Sequence, residues 1–533
     1  MPGKAEDIVR RYEYLRGQRL VHEIVWRECF EFSFPIRSSG FNGDQIWDAQ
    51  QAADKRARLL DSTSTDAGKT LASALVSGLT PANARWFELE VDGATDVEKA
   101  WLDEAADTLH QLIHSADFDS AALECSLDMV GAGWFVMFVD ENVTHTGMQF
   151  SQWPMSQVFC ASSRVGGPVD TVYRCYPLTA QQAQKEFGAA ASQSVQALAK
   201  DKPYETVEFL HTVYPREEGQ GGKLARNMPI VSCQLELKSK VIVRESGYHE
   251  MPAIVPRWEM IPNSVYAVGP MFDALPDAKT LNELKLGQLQ AVALALLPPL
   301  KATDDGVINI GGIKKLQSGK IYAVNDIDNL QPILTGSKME VAFTSEERLQ
   351  ASIRRTLMAD QLQAQDGPTM TATEVHARMA LMRQLLGPRY GRMQPEYLSA
   401  LVTRCFGMAY RAGALGDPPD SLIDRAYSVK YISPLARAQK LEDVTAIERL
   451  NVNVGQIAAV QPNVLDNIDT DEQVRVLSNA LGVPAKTIRG KKQVIDIRDA
   501  RTKAQQQATQ QAQAQEMQML SAQSMAKRTE KTA

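Results

Sequence analysis

Basic residues are in the minority in this chain of 533 residues: 57 Lys and Arg stand against 64 Asp and Glu, a formal charge of −7. Tight binding to nucleic acid draws on a basic excess, because neutralising phosphates releases counterions. The balance here excludes that mode. It leaves a protein indifferent to DNA, or one past which DNA slides without sticking. The six cysteines, Cys29, Cys125, Cys160, Cys175, Cys233 and Cys405, include no CxxC and no knuckle spacing, so they read as free buried thiols in a reducing compartment. No run of 18 or more apolar residues occurs, which excludes a membrane-spanning helix. The first residues, Met1 to Arg11, are polar and charged and do not read as a secretory signal. The protein is expected to work where it is made, or in particles assembled there.

The marks of catalysis are also missing. Gly68-Lys69-Thr70 looks like the end of a phosphate-binding loop, but the required glycine five residues earlier is Thr63, so the cradle of backbone N–H groups is absent. The simpler reading is a helix surface. His110 and His114 stand i, i+4 on an expected helix, yet Gln111 occupies the place where a zinc protease needs Glu. They are expected to be a fortuitous surface pair. Neither a GxSxG elbow nor a GxGxxG fingerprint is present. The expectation is a protein that is not an enzyme, with no catalytic residue, cofactor or metal.

What the chain does have is length and changing periodicity. At 533 residues it exceeds the ~250–300 at which single cores stop growing, so several modules are expected. Helical spacing predicts a helix over 1–34, stopped by Pro35, and another from about Asp54 to Leu79. Trp86 to Val91 reads as a strand, and residues 96–115 and 117–130 as helices. The period then falls to about two. Trp134 to Val139, Val158 to Ser162, Val169 to Cys175, Glu205 to Tyr214, Val231 to Leu237 and Val241 to Arg244 read as strands. Asp277 to Leu297 is a strong helix, ended by Pro298-Pro299. A glycine-punctuated β insert follows, to about Val341. Helix resumes at about Ser345, taken as an N-cap before Glu346 and Glu347, and runs to about Gln365. Asp366-Gly367-Pro368 interrupts it before a long helix over Thr371 to Ala414, bent near Gly387-Pro388. The part from Ser433 reads as mainly helical. It carries a basic stretch from Lys486 to Lys503, read as a solvated helix face, and a Gln-rich tract over 501–524.

Four blocks carry a resemblance. DSTSTDAGKTLASALVSGLTPANARWFEL (Asp61 to Leu89), RWEMIPNSVYAVGPMFDALPDAKTLNEL (Arg257 to Leu284), TATEVHARMALMRQLLGPRYGRMQPEYLSALVTRCF (Thr371 to Phe406) and YISPLARAQK (Tyr431 to Lys440) occur in that order. Together they resemble the head-to-tail connector, or portal, family of short-tailed (podovirus) bacteriophages. Ala267-Val268 departs slightly from the family pattern, which has Gly before the following Gly-Pro pair. The resemblance reaches across about residues 10–445.

The resemblance implies an α+β fold: a mixed wing over 1–265, stem helix 1 over 266–297, a β-rich clip over 298–342 and stem helix 2 over 343–365. A channel loop over 366–370, a long bent helix of the wing over 371–430 and a helical crown with the Gln-rich tail over 431–533 complete it. It implies a homo-oligomeric ring of about twelve subunits at a unique capsid vertex of the virion, assembled in the host bacterial cytoplasm. Double-stranded DNA passes non-specifically through the channel during packaging and ejection, and no membrane is involved. The implied partners are the capsid shell and scaffolding protein, terminase, a tail adaptor protein and internal core proteins. Site residues follow as expectations: Asp366, Gly367, Pro368, Thr369 and Met370 as the DNA-facing loop; Leu281, Leu284, Leu289, Val292 and Leu296 as stem contacts between subunits; Lys301, Lys314, Lys315 and Lys320 as clip contacts to motor or tail adaptor. A closed ring suits the leucine-rich stem, since a lone rod cannot bury its apolar face. Two other classes stay open at this point: a packaging ATPase or nuclease, and another virion protein of the tail or capsid shell.

Overall fold

In the computed structural model the described residues are 2–41, 49–82, 85–91, 93–142, 147–216, 227–296, 300–302, 330–332, 339–362, 391–422, 428–431, 434–458, 461, 463, 468–481, 494 and 497–505. The fold is α+β, as expected. The chain divides into two compact units, residues 1–86 with 108–414, and residues 87–107 with 415–533.

The chain opens with α1 (Pro2–Ser33), whose Ile8, Val9, Tyr12 and Leu15 recur at helical spacing and are all buried. Pro35 ends it as expected. The predicted helix over 54–79 is in fact two, α2 (Ala49–Ala57) and α3 (Thr63–Leu79). Gly68 lies buried in α3, where a Cβ would come within 2.8 Å of the Phe34 ring. The Gly-Lys-Thr triplet is therefore helix all through, and its glycine is a packing contact rather than surface. After β1 (Phe87–Glu90) come α4 (Asp96–Ser115) and α5 (Phe118–Ala132). His110 and His114 of α4 are not a surface pair. Their rings lie 4.4 Å apart, and His114 is largely enclosed. Its Nε2 accepts from Trp86 Nε1 at 3.2 Å, and its Nδ1 faces Asp119 Oδ1 at 2.9 Å. The pair joins α4 to its neighbours because that helix face is packed, not solvated.

Two antiparallel sheets follow. The first places β2 (Val136–Glu141) between β3 (Met148–Trp153) and the short β9 (Ala253–Ile254). The second is a five-stranded meander of β4 (Val158–Ala161), β5 (Thr171–Thr179), β6 (Thr206–Pro215), β7 (Ile230–Glu236) and β8 (Val241–Tyr248). Two helices between β5 and β6, α6 (Ala180–Phe187) and α7 (Gln193–Asp201), were not foreseen, although both carry legible caps. Thr179 and Gln182 form a capping box, and Ser192 accepts from the Val195 amide. One face of the meander packs on α1 through Tyr12, Leu15, Phe159, Tyr173, Leu210 and Leu235. The centre of the sheet holds His211, fully buried, bonded to Ser232 Oγ at 2.9 Å and set against the Phe138 and Trp153 rings. Burial first, and then the Arg174 and Arg244 charges, hold its pKa down at about 3.

A two-residue ribbon, β10 (Glu259–Met260) with β11 (Ala267–Val268), leads into the 27-residue α8 (Pro270–Leu296). The insert begins and ends as a second ribbon, β12 (Leu300–Ala302) against β13 (Leu330–Pro332). The returning helix α9 (Met339–Thr356) starts before Ser345, which lies inside it and does not cap it. It also stops before Gln365. Met358 takes a left-handed φ of 59° and turns the chain into the short α10 (Ala359–Leu362). A π-helical stretch, Gln394–Ser399, then enters α11 (Ala400–Arg411).

In the second unit β14 (Ser428–Tyr431) pairs antiparallel with β1, Phe87 opposite Tyr431. Thr95 and the buried Glu98 form a capping box at the start of α4, and Glu98 also accepts from Ser421 Oγ at 2.5 Å. The helices α12 (Pro434–Ala458) and α13 (Thr470–Leu481) follow. In the expected basic stretch, Arg498 is not a free cation: it makes a bidentate pair with Asp471 at 2.5 and 2.7 Å, which raises its pKa.

Candidate functional site: a helical hairpin rooted in the first unit

The root of α8 lies within the second of the four blocks, Arg257 to Leu284. Gly133 closes α5 with a left-handed φ of 84°, and Gly269 begins the turn into α8. The two backbones touch. A Cβ on Gly133 would fall on the Val268 carbonyl, and one on Gly269 would lie 2.6 Å from the Met129 carbonyl oxygen. Only glycine permits this approach. Pro270 follows at the first helical position, where its missing N–H costs nothing. Beside the turn, Trp26, Trp134 and Tyr266 form an aromatic cluster with centroids 5.1 to 5.3 Å apart. Trp26 Nε1 donates to the Ala267 carbonyl at 3.1 Å, and the Tyr266 hydroxyl accepts from the Cys160 amide at 3.1 Å. Burial pushes the Tyr266 pKa upward.

A buried ion pair joins this root to the helix that ends the first unit. Arg257, 2% exposed, donates from Nη2 to Glu396 Oε1 at 2.6 Å and to the Gly167 carbonyl at 2.9 Å. Removing one member of such a pair strands a charge in the core. A second cluster lies further along: Glu250 accepts from Arg411 at 2.6 and 2.7 Å and from the buried Arg404 at 3.2 Å. Gly407 makes room for it, since a Cβ there would overlap the Glu250 carboxylate.

From this root α8 and α9 run antiparallel. Ser352 Oγ donates to Asp277 at 2.6 Å near the root, and Lys285 pairs with Glu346 further out. Two more ties hold the base. Asn282 accepts from the Leu60 amide at 2.7 Å and donates to the Arg58 carbonyl at 3.0 Å, while Gln350 donates to Asp61 at 2.9 Å. These bonds explain the break between α2 and α3: the chain leaves helix there to meet the hairpin. Lys279 reaches Glu28 of α1 at 2.8 Å.

The hairpin changes character along its length. Met271, Ala274, Leu275, Ala278 and Leu281 are buried at the root. Beyond them Leu286 is 49% exposed, Leu289 56%, Val292 40% and Leu296 76%. Of the five expected stem contacts, Leu281 therefore sits in the subunit's own core, Leu284 is half-buried, and Leu289, Val292 and Leu296 stand in the open. Of the clip residues, Lys301 lies in β12, while Lys314, Lys315 and Lys320 fall outside the described residues, as does the expected channel loop 366–370.

Among the described residues no group of three or more His, Cys, Asp or Glu could hold a metal ion, and no helix is long and apolar enough to cross a membrane. Five cysteines are buried and Cys175 is half-buried; burial raises the thiols of Cys29, Cys160 and Cys405 to about 12, away from the reactive thiolate.

The family model for the bacteriophage head to tail connecting protein matches residues 5–488. The chain belongs to that family. It is similar to the portal protein of Salmonella phage epsilon15, 26% identical over 524 residues that cover 94% of this chain and 92% of that protein. It is likewise similar to the probable portal protein of Bordetella phage BPP-1, 28% identical over 529 residues, with coverage of 95% and 92%. The connector match takes in the root, the hairpin and both glycines.

Proposed function

We propose that this chain is a phage portal subunit, one copy of a ring at a single capsid vertex through which double-stranded DNA is packaged and later ejected. The observation that carries the reading is a connector-family chain whose α8 is rooted in the subunit but leaves its outer leucines exposed. A ring of such hairpins buries what each one exposes, and its closure prevents open filaments. The family pattern suggests about twelve copies. The reading has no catalytic step. It assigns Leu289, Val292 and Leu296, with Leu284 at their edge, to contacts between subunits. It assigns residues 1–265 to the wing against capsid shell and scaffolding protein, and residues 431–533 to a crown facing packaged DNA and internal core proteins. Residues 298–342, with Lys301, Lys314, Lys315 and Lys320, form the clip that meets terminase and then the tail adaptor. The segment 366–370 faces DNA in the channel. The formal charge of −7 suits a wall past which phosphates slide. The reading places the protein in the virion, after assembly in the bacterial cytoplasm.

Electron microscopy of the purified protein tests this reading: end-on views should show closed rings with an axial opening. Monomers and dimers alone, across micromolar concentrations, would overturn it.

A further inference from the structure

The two outer faces of the hairpin differ in charge. One side of α8 carries Phe272, Asp273, Glu283 and Leu286, all exposed, while Lys279 on the same side is engaged by Glu28 of α1. On α9 the outer side carries Phe343, Arg348, Arg354 and Arg355, also exposed, with Glu347 the one carboxylate on that side among the described side chains. One face is acidic and apolar, the other basic and apolar.

The charges also match in height. Asp277 stands opposite Ser352, and Lys285 opposite Glu346. Counting along the two antiparallel helices from these pairs puts Phe343 level with Leu286 and Arg348 level with Glu283. Arg354 and Arg355 come within a turn of Asp273. Copies related by rotation about a ring axis keep the same height along that axis. With the hairpin set along that axis, a residue near its outer end meets a neighbour's residue at the same level, which is where the complementary partners lie.

We propose that copies of this chain join head to tail through these two faces, α8 of one copy against α9 of the next, with Glu283 facing the next copy's Arg348 and Leu286 its Phe343. The inference rests on the ring reading above and adds the pairing that gives the ring its direction. The apolar residues supply the burial. The charges fix the register and reject the alternatives, α8 on α8 or α9 on α9, which would set like charges together.

The test is a charge exchange between full-length chains, read as particle mass by mass photometry. Glu283→Arg and Arg348→Glu should each leave the protein unassembled, because every interface then carries a like-charge pair. Mixed in equal amounts before assembly, the two variants should form rings, since alternating copies restore an opposite-charge pair at every interface. The rescue itself shows that both variants fold. The double variant Glu283→Arg with Arg348→Glu in one chain should also assemble. Single variants that form rings as wild type does would overturn the pairing while leaving the ring reading intact. So would a mixture that stays unassembled although circular dichroism shows both variants folded. Wild-type protein that forms no ring would instead overturn the ring reading.

Discussion

The two halves of α8 are one helix under opposite rules. Its first turns are over-determined: two glycines in backbone contact, a proline at the first helical position, an aromatic cluster, and Asn282 tied to Arg58 and Leu60. Its last turns expose Leu286, Leu289, Val292 and Leu296. The first half draws its stability from the subunit that contains it. The second half is exposed in the subunit, and on the ring reading another copy covers it. Periodicity cannot separate these cases, because a leucine stripe looks the same whichever chain covers it.

The strongest way to break the contrast is at the glycines. Gly133→Ala puts a methyl group into the Val268 carbonyl and forces a left-handed φ on a residue with a side chain. Backbone strain and overpacking together should cost roughly 2–5 kcal/mol. Urea unfolding of the subunit would measure it; a loss below about 1 kcal/mol would mean that the root is not the rigid element described.

Paired truncations sharpen the contrast. Leu281→Ala, in the core, should cost the subunit about 2–5 kcal/mol. Leu289→Ala, half-exposed eight residues later, should change subunit stability by only about 0.5 kcal/mol or less, while raising the concentration at which rings dissociate. Equal effects of the two on the unassembled subunit would erase the distinction.

Acid should act through two histidines, His211 in the sheet and His22 beside Trp26 and Tyr266 at the root. His211 is depressed to about 3 by burial and the nearby arginines, and His22 is lowered by burial too. The folded state thus holds these rings neutral, while the unfolded chain takes up protons below about 6.5. Their contribution is fully present above the unfolded value and is lost as pH falls towards the folded one, by up to about 1.4 kcal/mol per pH unit for His211. Between pH 6.5 and 5, His211→Gln should flatten the dependence of unfolding free energy on pH. An unchanged slope in that variant would count against the burial argument.

Much of the fold was legible in the sequence, for identifiable reasons. Pro35 marks the end of α1, alternation marks the strands from β4 to β8, and Pro298-Pro299 stands just past the end of α8. Several of the misses come from tertiary contacts that carry no local signal; α6 and α7 are the exception, since their caps at Thr179 and Ser192 stand in the sequence. The gap at residues 58–62 exists because Asn282 and Gln350 bind the chain there. The early stop of α9 comes from Met358, a non-glycine residue in a left-handed conformation that no breaker motif announces. The Ser345-Glu346-Glu347 pattern imitates a helix start, although Glu346 is bound to Lys285 in mid-helix. Gly133 and Gly269 were visible as residues, but their meeting joins positions 136 apart in the chain. Family membership was legible from the four blocks, which is why the assignment could precede the geometry that rationalises it.

The central claim is that the outer half of α8 is stabilised by another copy of the chain. It is tested most directly by comparing the mass distribution of wild-type protein with that of Leu289→Asp at the same micromolar concentration, with unfolding curves for both. The account predicts one large closed species for wild type, near twelve times the 58.8 kDa of the chain, and single chains for the variant, with subunit unfolding little changed. Leu289→Asp protein that assembles like wild type, or one that unfolds as though a core residue had been lost, would contradict it.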